Sequence, residues 1–378
     1  MRQQSTVEAQ PIPAPAPAKA PEKAPGAGRL ASLDGLRAVS ILLVLWSHLC
    51  KTANFPPMPR VVLSLGDFGV RVFFVISGYL ITTLLLGEQA KTGTISLKGF
   101  YVRRVYRIFP AFYAFIAVVA VLSGAGVIEL RPGDLLHAVT FTMNHHQERS
   151  WWVGHLWSLS VEEQFYLIWP ALLLFLGVRR GLYAAAAVMV LSPLTRVLLW
   201  RLWPESHEGM GELFPTICDS IAVGCLLSGG RKWLGEQPAY LRALRSPAAM
   251  LLPFFALLVH QLWRHPSVYL PVGHTVVNVS LALYIDRAVR FPEGLDGRLF
   301  NTRPLEFVGK LSYSLYLWQQ LFFNRYSSSP LCAFPLNVAL AAVAALVSYY
   351  TVEKTFLDLR ARRAHPAPTP APAPRPAH

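Results

Sequence analysis

Apolar residues occupy this chain in long unbroken runs and rarely alternate with polar ones. Ten runs approach the ~20 residues that a helix needs to cross a bilayer. They fall at about 38–57, 70–87, 108–128, 159–178, 182–201, 214–230, 247–263, 269–286, 311–327 and 334–352. They are too long for strands and lack the period-two alternation of a membrane barrel. The pattern predicts an all-α, polytopic membrane protein with about ten transmembrane helices. No internal repeat divides it into the matched halves typical of many transporters.

Composition agrees: of 378 residues, 53% are hydrophobic and 15% charged, and the mean hydropathy is +0.37. The formal net charge is +14, which would also suit a nucleic-acid partner. Its placement argues otherwise. Most of the basic residues lie in alternate connecting segments, such as Lys98, Arg103, Arg104 and Arg107, then Arg179 and Arg180, then Arg231 and Lys232. The positive-inside rule then places the N-terminus in the cytoplasm. An even number of spans returns the C-terminus there. The charge is accounted for by topology, and no basic, aromatic-rich module stands outside the membrane, so no nucleic acid is expected.

Residues 1–29 and 359–378 are Pro/Ala-rich and read as disordered tails, the second one basic, around a transmembrane domain at 30–358. The first tail has no apolar core and is not a signal peptide. Residues 129–158 are too polar in their second half to span; their Trp and His content predicts a folded cap or re-entrant piece at the outer interface. Cys50, Cys218, Cys225 and Cys332 make no framework. Cys218 and Cys225 are two turns apart on one helix, about 10 Å by helical rise, too far for a disulfide. His145 and His146 are adjacent and lack other spaced ligands, so no metal site is expected.

Ionisable groups inside a membrane are costly to keep, and each is a candidate for function. In "RAVSILLVLWSHLC" (37–50), Arg37 and His48 are eleven residues apart. At ~100° per residue they share one helix face, with a rise of about 16 Å between them. Arg37 is expected near the cytoplasmic surface and His48 near mid-bilayer, where a neutral imidazole can take a proton from a hydroxyl. The competing reading is a histidine held for packing. In "HLWSLSVEEQFYLIWP" (155–170), Glu162 and Glu163 enter the first turn of a span; one would serve a capping box with Ser158 or Ser160, and one facing inward could orient His48 or bind an acceptor. Ser77 and Gly78 lie deep in the second span. No nucleophile elbow surrounds Ser77, so packing or a pocket wall is favoured over covalent catalysis. Arg104 and Arg107 share a face at the cytoplasmic end of the third span. They either anchor the helix or clamp the phosphates of an anionic donor. Asp219, Gln319 with Gln320, and Glu353 are further polar groups at depth.

Taken in order, "LDGLRAVSILLVLWSHL", "GVRVFFVISGYLIT", "RRVYRIFPAFY", "HLWSLSVEEQFYLIWP", "DSIAVGCLL", "LSYSLYLWQQ" and "YYTVEKTF" resemble the bacterial acyltransferase-3 family of integral membrane O-acyltransferases, over roughly residues 30–358. The resemblance implies ten helices in the bacterial inner (cytoplasmic) membrane, both termini cytoplasmic. It also implies transfer of an acyl group, acetyl above all, from acyl-CoA to a hydroxyl, usually of a sugar. It makes His48 the catalytic histidine, Arg37 its paired arginine, Arg104 and Arg107 the Arg-x-x-Arg pair, and Glu163 the acidic residue before "QFYLIWP". Three departures stand out. Gln319 replaces a histidine found in many members, "EKTF" replaces "EKPF", and Arg71 replaces a frequent aspartate.

The expected mechanism is direct transfer. CoA phosphates sit on Arg104, Arg107 and Arg37, the thioester reaches His48, and the acceptor enters from the other side. No cofactor is tightly bound. An acyl-histidine or acyl-serine relay is the alternative chemistry. A diffusible lipophilic acceptor such as a macrolide is the alternative substrate, and a proton-coupled exporter or scaffold the alternative class. If a glycan outside the membrane is the final acceptor, a separate extracytoplasmic transferase is an expected partner.

Overall fold

The computed structural model describes residues 31–364, apart from 60, 61, 63, 204–206 and 208. Every regular element among them is helical. The main helices are α1 (Ala31–Leu49), α2 (Leu65–Thr92), α3 (Leu97–Gly124), α4 (Leu156–Leu202), α5 (Asp219–Gly235), α6 (Leu252–His260), α7 (His274–Arg290), α8 (Arg303–Phe322), α9 (Leu336–Ser348) and α10 (Lys354–Ala364).

Six helical segments are long and apolar enough to cross a membrane. A seventh is reached if Pro238–Arg245 and Pro247–His260, which meet at 63°, form one broken span. Both figures are below the expected ten, for physical reasons. α5 has only 17 residues. α8 carries Arg303, Glu306 and Lys310 along with two glutamines, which lowers its hydropathy. α4 is one unit of 47 residues, about 70 Å at 1.5 Å per residue and more than twice the hydrocarbon core. At Gly177 its backbone leaves the helix, with φ 77° and ψ 161°, a conformation that only glycine adopts readily. The bend is sharp: a Cβ added to Gly181 would lie 2.5 Å from the Leu173 side chain, whereas residues eight apart in a straight helix are about 12 Å apart. The runs expected at 159–178 and 182–201 are therefore two arms meeting at Gly177.

α1 packs between α2 and α8, and α2 packs closely on α5. Missing side chains set these distances. A Cβ on Gly78 would meet Ile221 O at 2.0 Å, as expected for a small residue admitting a neighbouring helix, and one on Gly309 would meet Asp34 O at 1.9 Å. The second contact draws α8 against α1. Ile41, Phe74, Phe112 and Phe115 fill the core beside them.

α1 ends at Leu49, not near 57 as the apolar run suggested. Lys51 and Asn54 turn the backbone left-handed at φ 75° and 64°, and Pro56 and Pro57 follow. His48 thus stands in the last helical turn and not midway along the span. Residues 129–158 do form a folded cap, built from the short helical pieces Asp134–Val139, Met143–His145 and Trp151–Gly154. Buried Asp134 ties it together, accepting from Arg131 N at 2.8 Å and Ser150 N at 3.2 Å, with His146 Nε2 at 3.1 Å. All four cysteines are free and buried. α10 continues to Ala364, past the boundary expected at 358. The rest of the C-terminal tail and the whole N-terminal tail lie outside the described residues.

Candidate active site

α1 and α8 bring His48 and Gln319 together, with His48 Nδ1 2.9 Å from Gln319 Oε1. A chain of hydrogen bonds fixes the direction of this contact. Trp151 O can only accept, so Gln320 presents its Nε2 there, at 2.7 Å. Gln320 Oε1 then accepts from Gln319 Nε2 at 3.1 Å. Gln319 must turn its Oε1 to His48, whose Nδ1 carries the proton and donates it. The Nε2 lone pair remains, with no hydrogen-bond partner among the described residues. This is the tautomer that a general base needs. The expectation that a glutamate orients His48 is not met, because Gln319 takes its Nδ1.

His48 lines an open cavity of about 1240 Å³ walled by the cap and by α1, α2, α4 and α8. Trp151 stands edge-on to its ring at 5.6 Å. A second histidine, His155, lines the same cavity, is 3% exposed, and has neither ring nitrogen hydrogen-bonded. Phe115 and Tyr316 hold its ring, with centroids at 5.6 and 5.2 Å. The Tyr316 hydroxyl donates to His155 O at 2.7 Å and contacts Ser158 Oγ at 2.6 Å. Sequence reading passed over His155, although it opens the stretch that contains the two glutamates.

The three arginines gather about three helical turns away, at the other end of α1. Arg37 lies 3.5 Å from Asp34 and within electrostatic reach of Arg107, Tyr166 and Arg104. Arg104 stacks over Tyr166 at 4.7 Å and Phe100 at 5.5 Å. Neither Arg104 nor Arg107 forms an ion pair among the described residues, although Glu162 and Glu163 lie near Arg104, and Glu353 near Arg107. Their N–H groups are therefore uncommitted. Glu162, more than Glu163, is built into this region. It accepts from Ser77 Oγ in a short contact and from Tyr166 OH at 3.2 Å. The capping-box reading fails, because α4 begins at Leu156 and Ser160 lies inside it, bonded to Leu156 O at 3.0 Å. Ser77 sits in a hydrogen-bonded wall with Glu162 and Tyr166.

Asp219 belongs to neither group. It pairs with Arg196 at 3.0 Å, both side chains fully buried, and Arg196 also donates to Leu270 O at 3.0 Å and Thr216 O at 2.6 Å. This is a strut between α4 and α5 and not a pocket wall. Arg196, an arginine well inside the run 182–201, was the signal for it.

A family defined by an acyltransferase domain, acyltransferase-3, matches residues 30–352. Among curated proteins, one from Staphylococcus aureus (strain COL), provisionally named as an O-acetyltransferase, is 28% identical over 360 residues, covering 86% of this chain and 57% of its own. The O-acetyltransferase OatA of Staphylococcus aureus (strain NCTC 8325) is 28% identical over 362 residues, covering 86% and 56%. The chain thus spans a little over half the length of these relatives. No solved structure matches.

Proposed function

The chain belongs to the acyltransferase-3 family, and on that premise we propose that it is an integral membrane O-acyltransferase that moves an acetyl group from acetyl-CoA to a hydroxyl of a carbohydrate or glycosylated acceptor. The observation that carries the reading is the relay from Trp151 O through Gln320 and Gln319, which leaves His48 Nε2 as a base beside a large cavity. Its relatives' name, O-acetyltransferase, supports acetyl as the group transferred.

In the proposed reaction, His48 Nε2 takes the proton of the acceptor hydroxyl as its oxygen attacks the thioester carbonyl. The C–S bond breaks, and the imidazolium returns the proton to the departing thiolate. Arg104 and Arg107, with Arg37, hold the CoA phosphates, since arginine forks match phosphate oxygens and these two have no ion-pair partner. The pantetheine arm follows the α1 face, about 16 Å from Arg37 to His48. Glu163 adjusts the field around Arg104, and Ser77 with Glu162 and Tyr166 lines the passage. Donor and acceptor then enter from opposite ends and never share a compartment.

Ten crossings fit this reading: the six clear spans, a second arm of α4 beyond Gly177, the bent pair, α5 and α8. Both ends then face the cytoplasm of a bacterial cell, the arginine cluster lies on the cytoplasmic side and the His48 cavity faces outward. Where the final acceptor is an extracytoplasmic glycan, a separate transferase can complete the delivery. The test is purified protein with radiolabelled acetyl-CoA and extracts of the source organism. A labelled acceptor that survives thiol removal supports the reading; acetyl-CoA left unconsumed with every extract contradicts it.

A further inference from the structure

We propose that a second cavity, beside the one that holds His48, is the subsite for an oxyanion group on the acceptor, a carboxylate or a phosphate. The proposal rests on the acyltransferase reading above and adds the substrate class. The cavity holds about 980 Å³. Asp67, Trp157 and Glu212 line both cavities, so the two adjoin.

Arg71 lines this second cavity. It lies within α2, is 5% exposed, and forms no ion pair among the described residues. Its terminal nitrogens reach Ser220 Oγ at 3.4 Å and His274 Nδ1 at 2.5 Å, and its Nε has no partner. Asp67, one turn earlier on α2, lies within electrostatic reach of the guanidinium but forms no ion pair with it, and a buried guanidinium with no paired carboxylate is costly unless a ligand supplies the charge. Arg71 can only donate, so His274 Nδ1 accepts and its proton sits on Nε2. That N–H has no hydrogen-bond partner among the described residues, and His274 lines the cavity. Arg71 and His274 therefore make a donor pair of the kind that holds a carboxylate or phosphate.

The surroundings favour a sugar bearing that group. Trp157, Trp200 and Tyr269 give the cavity aromatic faces on which the C–H face of a sugar ring can lie. Trp200 is fixed by His207 stacked on it at 3.6 Å. Of the carboxylates at the junction, Glu212 is engaged by Arg149 in a short ion pair. Asp67 is exposed there, one turn before Arg71 on α2, and is suited to accept from a hydroxyl. An acidic sugar anchored on Arg71 would extend past Asp67 toward the His48 cavity.

The test is the tryptophan fluorescence of the full chain in neutral detergent, titrated with D-glucuronate, glucose 6-phosphate and glucose. The two acidic sugars should give saturable changes, with glucose at least tenfold weaker. Arg71→Gln should abolish the preference, and Arg71→Lys, which keeps the charge but not the fork, should retain part of it. The wild-type comparison of acidic with neutral sugar needs no variant, so a poorly folding Arg71→Gln protein leaves the test intact. Equal responses to glucose and glucose 6-phosphate overturn the proposal, as does a preference that survives Arg71→Gln. A response to phosphatidylglycerol in mixed micelles with none to the acidic sugars would assign the site to a lipid headgroup and overturn the acceptor assignment. Loss of the preference in Arg71→Gln assigns the response to this subsite and not to the Arg104–Arg107 cluster. Because no acyl-CoA is present, the titration is independent of transfer, whereas radiolabel transfer reports on the acyltransferase reading.

Discussion

His48 Nδ1 and Gln319 Oε1 meet at 2.9 Å, across 271 positions of sequence. The partner is an amide, not a carboxylate. An amide orients the imidazole and fixes its tautomer without adding a negative charge that would favour the imidazolium. The imidazole is thus positioned through a chain that ends on a backbone carbonyl of the cap, so the cap and α1 are coupled.

Gln319→Leu should slow transfer by about fivefold, the scale of one lost hydrogen bond of roughly 1 kcal/mol. The effect should fall on kcat and leave the KM for acetyl-CoA nearly unchanged. Gln319→Glu, which keeps an acceptor at the same distance, should recover much of the loss. A merely structural role would show instead as reduced thermal stability in both variants.

If Arg104 and Arg107 clamp CoA phosphates, replacing both by Gln should raise the KM for acetyl-CoA by at least tenfold and leave the acceptor KM nearly alone. Steady-state kinetics on purified protein checks this. Surviving protein with normal donor affinity but poor membrane yield would mean that the pair only anchors α3.

The Arg196–Asp219 strut gives a stability prediction. Asp219→Leu leaves a fully buried guanidinium uncompensated and should cost about 3–5 kcal/mol, whereas Arg196→Met with Asp219→Leu should recover most of it. Thermal unfolding in detergent, read on both variants, distinguishes the two. Equal losses would show that the hydrogen bonds to Leu270 and Thr216 matter more than the charge balance.

Topology is open to direct labelling. In a background without the native cysteines, Gln147→Cys in the cap should react with an impermeant thiol reagent added outside cells, and Glu236→Cys beyond α5 should not. Labelling of the second position alone would invert the proposed orientation.

Periodicity made some of this legible and hid the rest. The shared face of Arg37 and His48 follows from a regular helix, and α1 is one. Its end does not, because the left-handed turns at Lys51 and Asn54 stop the helix while the apolar run continues. Glu162 and Glu163 differ by 100° around α4, so only packing decides that Glu162 meets Ser77. A span tolerant of one charge absorbed Arg196 without comment, and Arg71 stood out only as a departure from the family pattern, although each lies in an apolar run. The contact between His48 and Gln319 is purely tertiary, and it required the close approach of α1 and α8 at Gly309.

The measurement that bears most directly on the account is transfer by His48→Gln. Glutamine keeps hydrogen-bonding capacity but cannot shuttle a proton near neutral pH. The variant should insert and purify normally, bind CoA as the wild type does, and transfer acetyl groups roughly 100-fold slower or worse, the usual scale for losing a general base. Near-full activity in His48→Gln would contradict the account and make His48 a packing residue.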